Sequence, residues 1–186
     1  MSFNNLTLGS YYSKKDLSKI FGNPNIEKIR EGVYNQSATD TFFFVDLEKK
    51  GKEERFHFDD FFEGDFFHWD SQTTQHIDTP KIQEIVQGVR TPHLLIRVIS
   101  NVKGITQPFI YCGRLKYDRY EEGTGKPVHI IFQNIDYQDD TDNEDLMDVY
   151  TWKPNKAGKT TRSKISMKGV VSEQRKRNYK KPTKTE

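Results

Sequence analysis

Three stretches constrain this chain more than any other feature: His93-Leu94-Leu95-Ile96-Arg97-Val98-Ile99, then Pro108 through Tyr117, then Pro127-Val128-His129-Ile130-Ile131-Phe132-Gln133. Each is short, rich in β-branched or aromatic residues, and bounded by Gly or Pro: Gly104, the turn at 122–125, and Pro127. Runs of this length with such punctuation read as strands, because Gly and Pro break the ladder at their edges. A fourth β-prone run, Thr41-Phe42-Phe43-Phe44-Val45-Asp46-Leu47, is followed by the polar stretch 48–54 and by Arg55-Phe56-His57-Phe58, which together predict a β-hairpin. Short strands joined by turns, with helices only at the side, define an α+β class. The expected architecture is a small antiparallel β-barrel or curled sheet with two or three short helices.

Two helices are legible. Ser13 with Asp16 three residues on resembles a capping box, Leu17, Ile20 and Phe21 recur at helical spacing, and Gly22 and Pro24 stop the run. Thr79 then sits at an N-cap with Pro80 at the first helical position, Ile82, Ile85 and Val86 facing inward, and Gly88 just past the end. Aromatic residues make up 13% of the chain, with 13 Phe, so they supply core volume that a hydrophobic share of 33% would otherwise leave short.

The net charge of +2 hides an asymmetry. Residues 153–186 carry 12 Lys/Arg against 2 Glu, and residues 1–152 carry 17 Lys/Arg against 25 Asp/Glu. We therefore expect a β-rich domain over 1–152 and a basic, largely flexible tail over 153–186, a pattern that points to a polyanion partner. Residues 136–148 hold seven acids and read as a loop or linker. No apolar run approaches the ~20 residues of a membrane span. No secretory leader is visible, and the single cysteine, Cys112, allows no disulfide within the chain. The expected compartment is cytoplasmic, with no membrane partner.

Enzyme signatures are sparse. Phosphate-binding loops, dinucleotide-binding glycines and nucleophile elbows are missing from the sequence. None of the five histidines forms a His-x-x-x-His pair on a predicted helix, so no metal ligand is assigned. The acidic loop lacks the Gly and terminal Glu of a calcium loop. Asp40 with Glu48 and Lys50 weakly resembles the Asp…Glu-x-Lys set of magnesium nucleases, though Glu48 and Lys50 fall in a polar turn. Cys112, mid-strand, reads as a buried structural thiol. The expectation is a protein with no catalytic residues and no cofactor.

The stretch from Phe56 to Gln72 interleaves aromatics with carboxylates and ends in Trp69-Asp70-Ser71-Gln72. Phe61, Phe62, Phe66 and Phe67 read as core. Trp69, Ser71 and Gln72 are placed in a loop before the Thr79 helix, where an aromatic can stack on a base and polar groups can read base edges.

Phe67 to Gln72, Thr79-Pro80 with its helix, the run 93–98, and Phe109-Ile110-Tyr111-Cys112-Gly113-Arg114-Leu115 together resemble a domain family of bacterial restriction systems, over roughly residues 11–135. That domain is similar to the C-terminal part of modification-dependent (type IV) restriction helicases, where it follows phospholipase-D-type nuclease and helicase domains. The resemblance implies an SRA-like or PUA-like fold and recognition of modified double-stranded DNA, 5-methylcytosine or a related modified cytosine, by base flipping. Any cutting would then belong to a nuclease or helicase domain or subunit elsewhere. On that reading Trp69 and Tyr111 are stacking candidates, and Asp70, Ser71 and Gln72 complete the base pocket. Arg90, Arg97, Arg114 and Lys116 are candidates for the DNA backbone. Three alternatives stay open at this point: a reader of phosphorothioate backbones, a stand-alone metal-dependent nuclease, and a protein-interaction module whose tail binds an acidic partner or RNA.

Overall fold

The computed structural model describes residues 3–49 and 60–154 of the 186. The expected return arm at 55–58 with His57, Lys50 of the nuclease-like pattern, and the tail from residue 155 onward lie outside the described residues.

β1 (Tyr11–Tyr12) leads into α1 (Lys14–Phe21). Its N-terminus carries a full capping box, with Ser13 Oγ accepting from Asp16 N and Asp16 accepting from Ser13 N, and Gly22 closes it at φ 60°. β2 (Val33–Asn35) and β3 (Asp40–Asp46) follow, then β4 (Phe61–Glu63) and β5 (Phe66–Asp70). α2 (Pro80–Val86) precedes β6 (Thr91–Arg97), the small β7 (Asn101–Val102) and β8 (Ile105–Thr106) hairpin, β9 (Phe109–Tyr120), β10 (His129–Asn134) and α3 (Glu144–Thr151). In α2 the Thr79 hydroxyl makes no cap; it accepts from His76 N instead, so Pro80 alone marks the start. No helix among the described residues is long and apolar enough to cross a membrane.

The main sheet runs β2-β3-β6-β9-β10-β5-β4, with β1 also on β9. β9 is the hinge of the architecture. Its first half pairs with β6, and its second half, from Leu115, pairs with β10. The register slips between Leu94 and Leu95, where Gly113 takes φ +92°. Such a bulge bends a strand and sharpens its twist. A Cβ at Gly113 would stand 2.6 Å from the Asp136 Cβ, so only glycine fits this corner.

The bend turns the two halves of the sheet face to face. Phe43 of β3 meets Trp69 of β5 at a ring-centroid distance of 4.8 Å and Phe132 of β10 at 5.6 Å. Phe62, Phe67, Leu94, Ile96, Cys112 and Ile130 fill the same core, each fully buried. The other face of the first half-sheet is also covered. Phe42, Phe44, Leu95, Phe109 and Tyr111 pack there against Phe3, Leu17, Phe21 and Ile26. β3 is thus buried on both sides, which is why its run reads Phe-Phe-Phe-Val without alternation.

The α+β class stands, but the sheet is mixed rather than antiparallel: β3 and β6 run parallel, Asp40 opposite Thr91 through Asp46 opposite Arg97. The sheet does not close into a barrel, since β2 and β4 end its path unpaired with each other among the described residues. The acidic loop also needs correction. From Glu144 it is helical, Asn143 capping by accepting from Asp145 N and Leu146 N, with Leu146, Val149 and Tyr150 buried in the main core. The acids at its first turn complement the helix dipole, and they disguised the apolar spacing beneath.

Candidate functional site

The seam left by the open sheet is a cleft. Gly32 and Val33 of the β2 side, Phe44 to Asp46 of β3, Trp69 and Asp70 of β5, and Ser71 and Gln72 just after it line the cleft, with Lys49 and Asp60, in a volume of about 180 Å³. A buried ion pair bridges the seam: Lys49 Nζ donates to Asp60 Oδ2 at 2.8 Å and also to the Asp46 carbonyl, and Asp60 Oδ1 accepts from Asp70 N at 3.0 Å. Burial pushes the Asp60 carboxyl up, opposed by the Lys49 charge and hydrogen bond. In this way side-chain electrostatics join two half-sheets that no ladder joins there among the described residues.

The cleft opens on a wider groove of about 570 Å³ between α1, the segment after it, and the start of β9. Lys14, Lys15, Lys28, Arg30 and Arg97 line the groove against a single acid, Glu27. A groove of one charge sign gathers field lines and attracts polyanions.

The sequence-predicted residues divide. Trp69, Asp70, Ser71 and Gln72 do line the cleft together. However, Trp69 and Asp70 belong to β5, in a hairpin turned at Gly64 (φ 58°), and not to a loop. Trp69 is 6% exposed and packs between Phe43 and Phe132 as core. Ser71 is fully buried and latches the strand end, its Oγ accepting from Val128 N at 2.9 Å. Gln72 sits exposed on the rim. Tyr111 is elsewhere: it packs in the second cluster, on the opposite face of the first half-sheet, and its hydroxyl meets His93 Nδ1 at 2.9 Å. Trp69 and Tyr111 therefore cannot sandwich one base. Of the four expected core phenylalanines, Phe62 and Phe67 are core, whereas Phe61 and Phe66 alternate to the outer face, against His68 and Arg119.

Among the backbone candidates only Arg97 reaches the cleft and groove, held by Asp46 through Nε at 2.5 Å. Arg90 is tied to Glu84 and the Ser37 carbonyl near the opposite end of β6. Arg114 forms a two-pronged pair with Asp136 at 2.8 and 3.0 Å, and Lys116 is exposed on the second half of β9. The groove lysines and Arg30 were missed. Their signal was the clustering of Lys14-Lys15 and Lys28-x-Arg30 around one short helix.

Asp40 opens β3 and Glu48 lies two residues past its other end, ~25 Å of extended chain away, so the two carboxylates cannot share a metal. Among the described residues no three His, Cys, Asp or Glu side chains converge on a metal-sized site. Asp40, half-buried, instead accepts from His93 Nε2 at 2.8 Å, in an Asp40–His93–Tyr111 chain in which Phe3 stacks on the buried His93 ring. Burial raises the Cys112 thiol, consistent with a packed residue.

Behind the cleft wall, Asp70 Oδ1 lies 2.6 Å from His129 Nδ1, and His129 Nε2 lies 2.9 Å from His68 Nδ1. The hydrogen bond to Asp70 raises His129 above the usual histidine range despite burial. Burial, then the His129 charge, hold His68 below it. A histidine raised by folding adds stability that is complete below its unfolded value of about 6.5 and disappears as pH rises through the raised value. Hence His129→Asn should lower the urea midpoint more at about pH 5.5 than at about pH 9. An equal loss at both would show that the pair adds no charge-dependent stability.

These features define a class: an α+β domain with an open, bent, mixed sheet whose seam is a polar cleft fed by a basic groove. Residues 6–133 match the family described as a domain of unknown function, DUF3427, and the chain belongs to that family. The matched span runs from before β1 into β10, so it contains β1 to β9, all but the last residue of β10, the cleft and the groove, and it stops before α3. No curated protein matches the chain.

Proposed function

We propose that this domain is a DNA-binding module that reads a modified cytosine, 5-methylcytosine or a close relative, within double-stranded DNA as part of a bacterial restriction system. The observation that carries this reading is the basic groove opening directly into the polar cleft. A groove with five cations and one acid suits a phosphate backbone. The cleft, about 180 Å³, is smaller than the ~300–1,000 Å³ of sites for drug-sized ligands and suits one extruded base. Gln72 at the rim offers a donor and an acceptor to a base edge, as a polar reader requires. The lining of Lys49, Asp60, Asp70 and Gln72 beside Trp69 differs from the small apolar pocket that a phosphorothioate sulfur would need. Extruding the base costs a few kcal/mol, offset by cleft contacts and by phosphate contacts along the groove. Strand cleavage on this reading belongs to a nuclease or helicase domain or subunit.

Gel shifts with one duplex carrying cytosine, 5-methylcytosine, 5-hydroxymethylcytosine or phosphorothioate test the proposal. A modified-cytosine duplex should bind about tenfold or more tightly than the plain one. Lys28→Ala should weaken all four alike and reduce the salt slope by about 1, because a groove lysine touches phosphate and not base. Equal binding to all four duplexes by the wild-type protein overturns the reading.

A further inference from the structure

Three cations, Lys14, Arg30 and Arg97, line both the groove and the cleft and so stand where one opens into the other. They come from the first residue of α1, the segment before β2, and the last residue of β6. Their donors are only partly used. Lys14 Nζ donates to the Ile29 carbonyl at 2.6 Å and rests 4.9 Å from the centre of the Phe44 ring. Arg97 gives Nε and one terminal nitrogen to Asp46 and the other to the Gln107 carbonyl, with its plane over Phe109. Since an ammonium has three donors and a guanidinium five, both keep N–H groups to offer. Arg30 is exposed, and among the described residues its guanidinium has no hydrogen-bond partner.

The crowding has an electrostatic consequence. Burial first, and then the charges of Arg97 and Arg30, lower the Lys14 ammonium below its usual range, with Asp46 opposing. Asp46 already holds Arg97, and Glu31 also lines the cleft, so an incoming anion meets these three cations against two acids there. Phe44 and Phe109 fix Lys14 and Arg97 from beneath, which limits the side-chain ordering that binding must impose.

We infer that Lys14, Arg30 and Arg97 form a phosphoryl subsite at the mouth of the cleft, so that the smallest ligand this site recognises is one nucleotide, phosphate at the junction and base in the cleft. The open fork of Arg30, the remaining N–H groups of Arg97 and an ammonium, arriving from three elements, match a tetrahedral group with several acceptor oxygens better than a planar carboxylate. The inference rests on the DNA-reader proposal and sharpens it: the groove does not merely attract a backbone but fixes one phosphate in register with the cleft.

The test uses the full chain and amide chemical-shift titration with 5-methyl-dCMP, 5-methyldeoxycytidine without phosphate, and inorganic phosphate. The nucleotide should bind about tenfold or more tightly than the nucleoside, with shifts at both Arg30 and Gln72, and inorganic phosphate should shift Lys14, Arg30 and Arg97 but not Gln72. Arg30→Ala, at an exposed position, should remove most of that advantage by weakening the nucleotide far more than the nucleoside, and Lys14→Gln should do the same. Nucleotide and nucleoside binding equally, or both variants binding nucleotide like the wild type, overturns the subsite. The two proposals fail separately. A chain that discriminates modified duplexes but shows no nucleotide advantage keeps the reader and loses the subsite. A chain that binds the nucleotide through Arg30 but treats all duplexes alike keeps the subsite and loses the reader.

Discussion

Lys49→Met is expected to destabilise the fold by about 3–5 kcal/mol, because it leaves Asp60 buried without its counter-charge. Asp60 is 3% exposed, and its carboxylate bridges Lys49 on one half-sheet to the Asp70 amide on the other. Its carboxyl is already raised by burial even with Lys49 present. An acid raised by folding costs stability as pH climbs from its unfolded value through the raised one. Removing Lys49 lifts it further, so the loss should be greatest at neutral and alkaline pH and shrink toward acid. Urea unfolding at about pH 5 and about pH 8 reads both the size and the trend. The double replacement Lys49→Met with Asp60→Leu should recover most of the loss, since an apolar pair of similar volume needs no compensation. A single variant as stable as the wild type at pH 8 would show that the seam is not held by this pair.

Trp69→Ala is expected to cost a similar amount, about 3–5 kcal/mol, by leaving a cavity between Phe43 and Phe132. Trp69→Phe should lose much less and keep whatever preference for modified DNA the wild type shows. Exposed residues away from such packing usually change stability by under about 0.5 kcal/mol. Thermal melts of the two variants beside the duplex panel therefore separate the roles. A stable alanine variant that has lost discrimination would make Trp69 a reading face and not core.

Much of the secondary structure was legible in residue order, because local rules act over a few positions. The Ser13 capping box, the glycine after α1, Pro80, and the strands β3, β6, β9 and β10 all follow from spacing and punctuation. Two elements were hidden by composition. α3 was masked by the acids that flank Leu146, Val149 and Tyr150. The β4–β5 hairpin was read as one aromatic block, although its alternation sends Phe62 and Phe67 inward and Phe61 and Phe66 outward.

The sequence alone determined that this chain builds an α+β domain from aromatic-rich strands, and it singled out the stretch from Trp69 to Gln72, which does line the cleft. Only the tertiary structure decided what those residues do there. Strand periodicity assigns a side chain to one of two faces but does not say which strand lies opposite, so the parallel pairing of β3 with β6 and the bend at Gly113 were not readable. That bend creates the open seam, and the packing of α1 and the segment after it on the outer face of the first half-sheet brings Lys14 and Arg30 to Arg97 across roughly 70–80 residues of chain. A site assembled from such distant positions leaves no local pattern in the sequence.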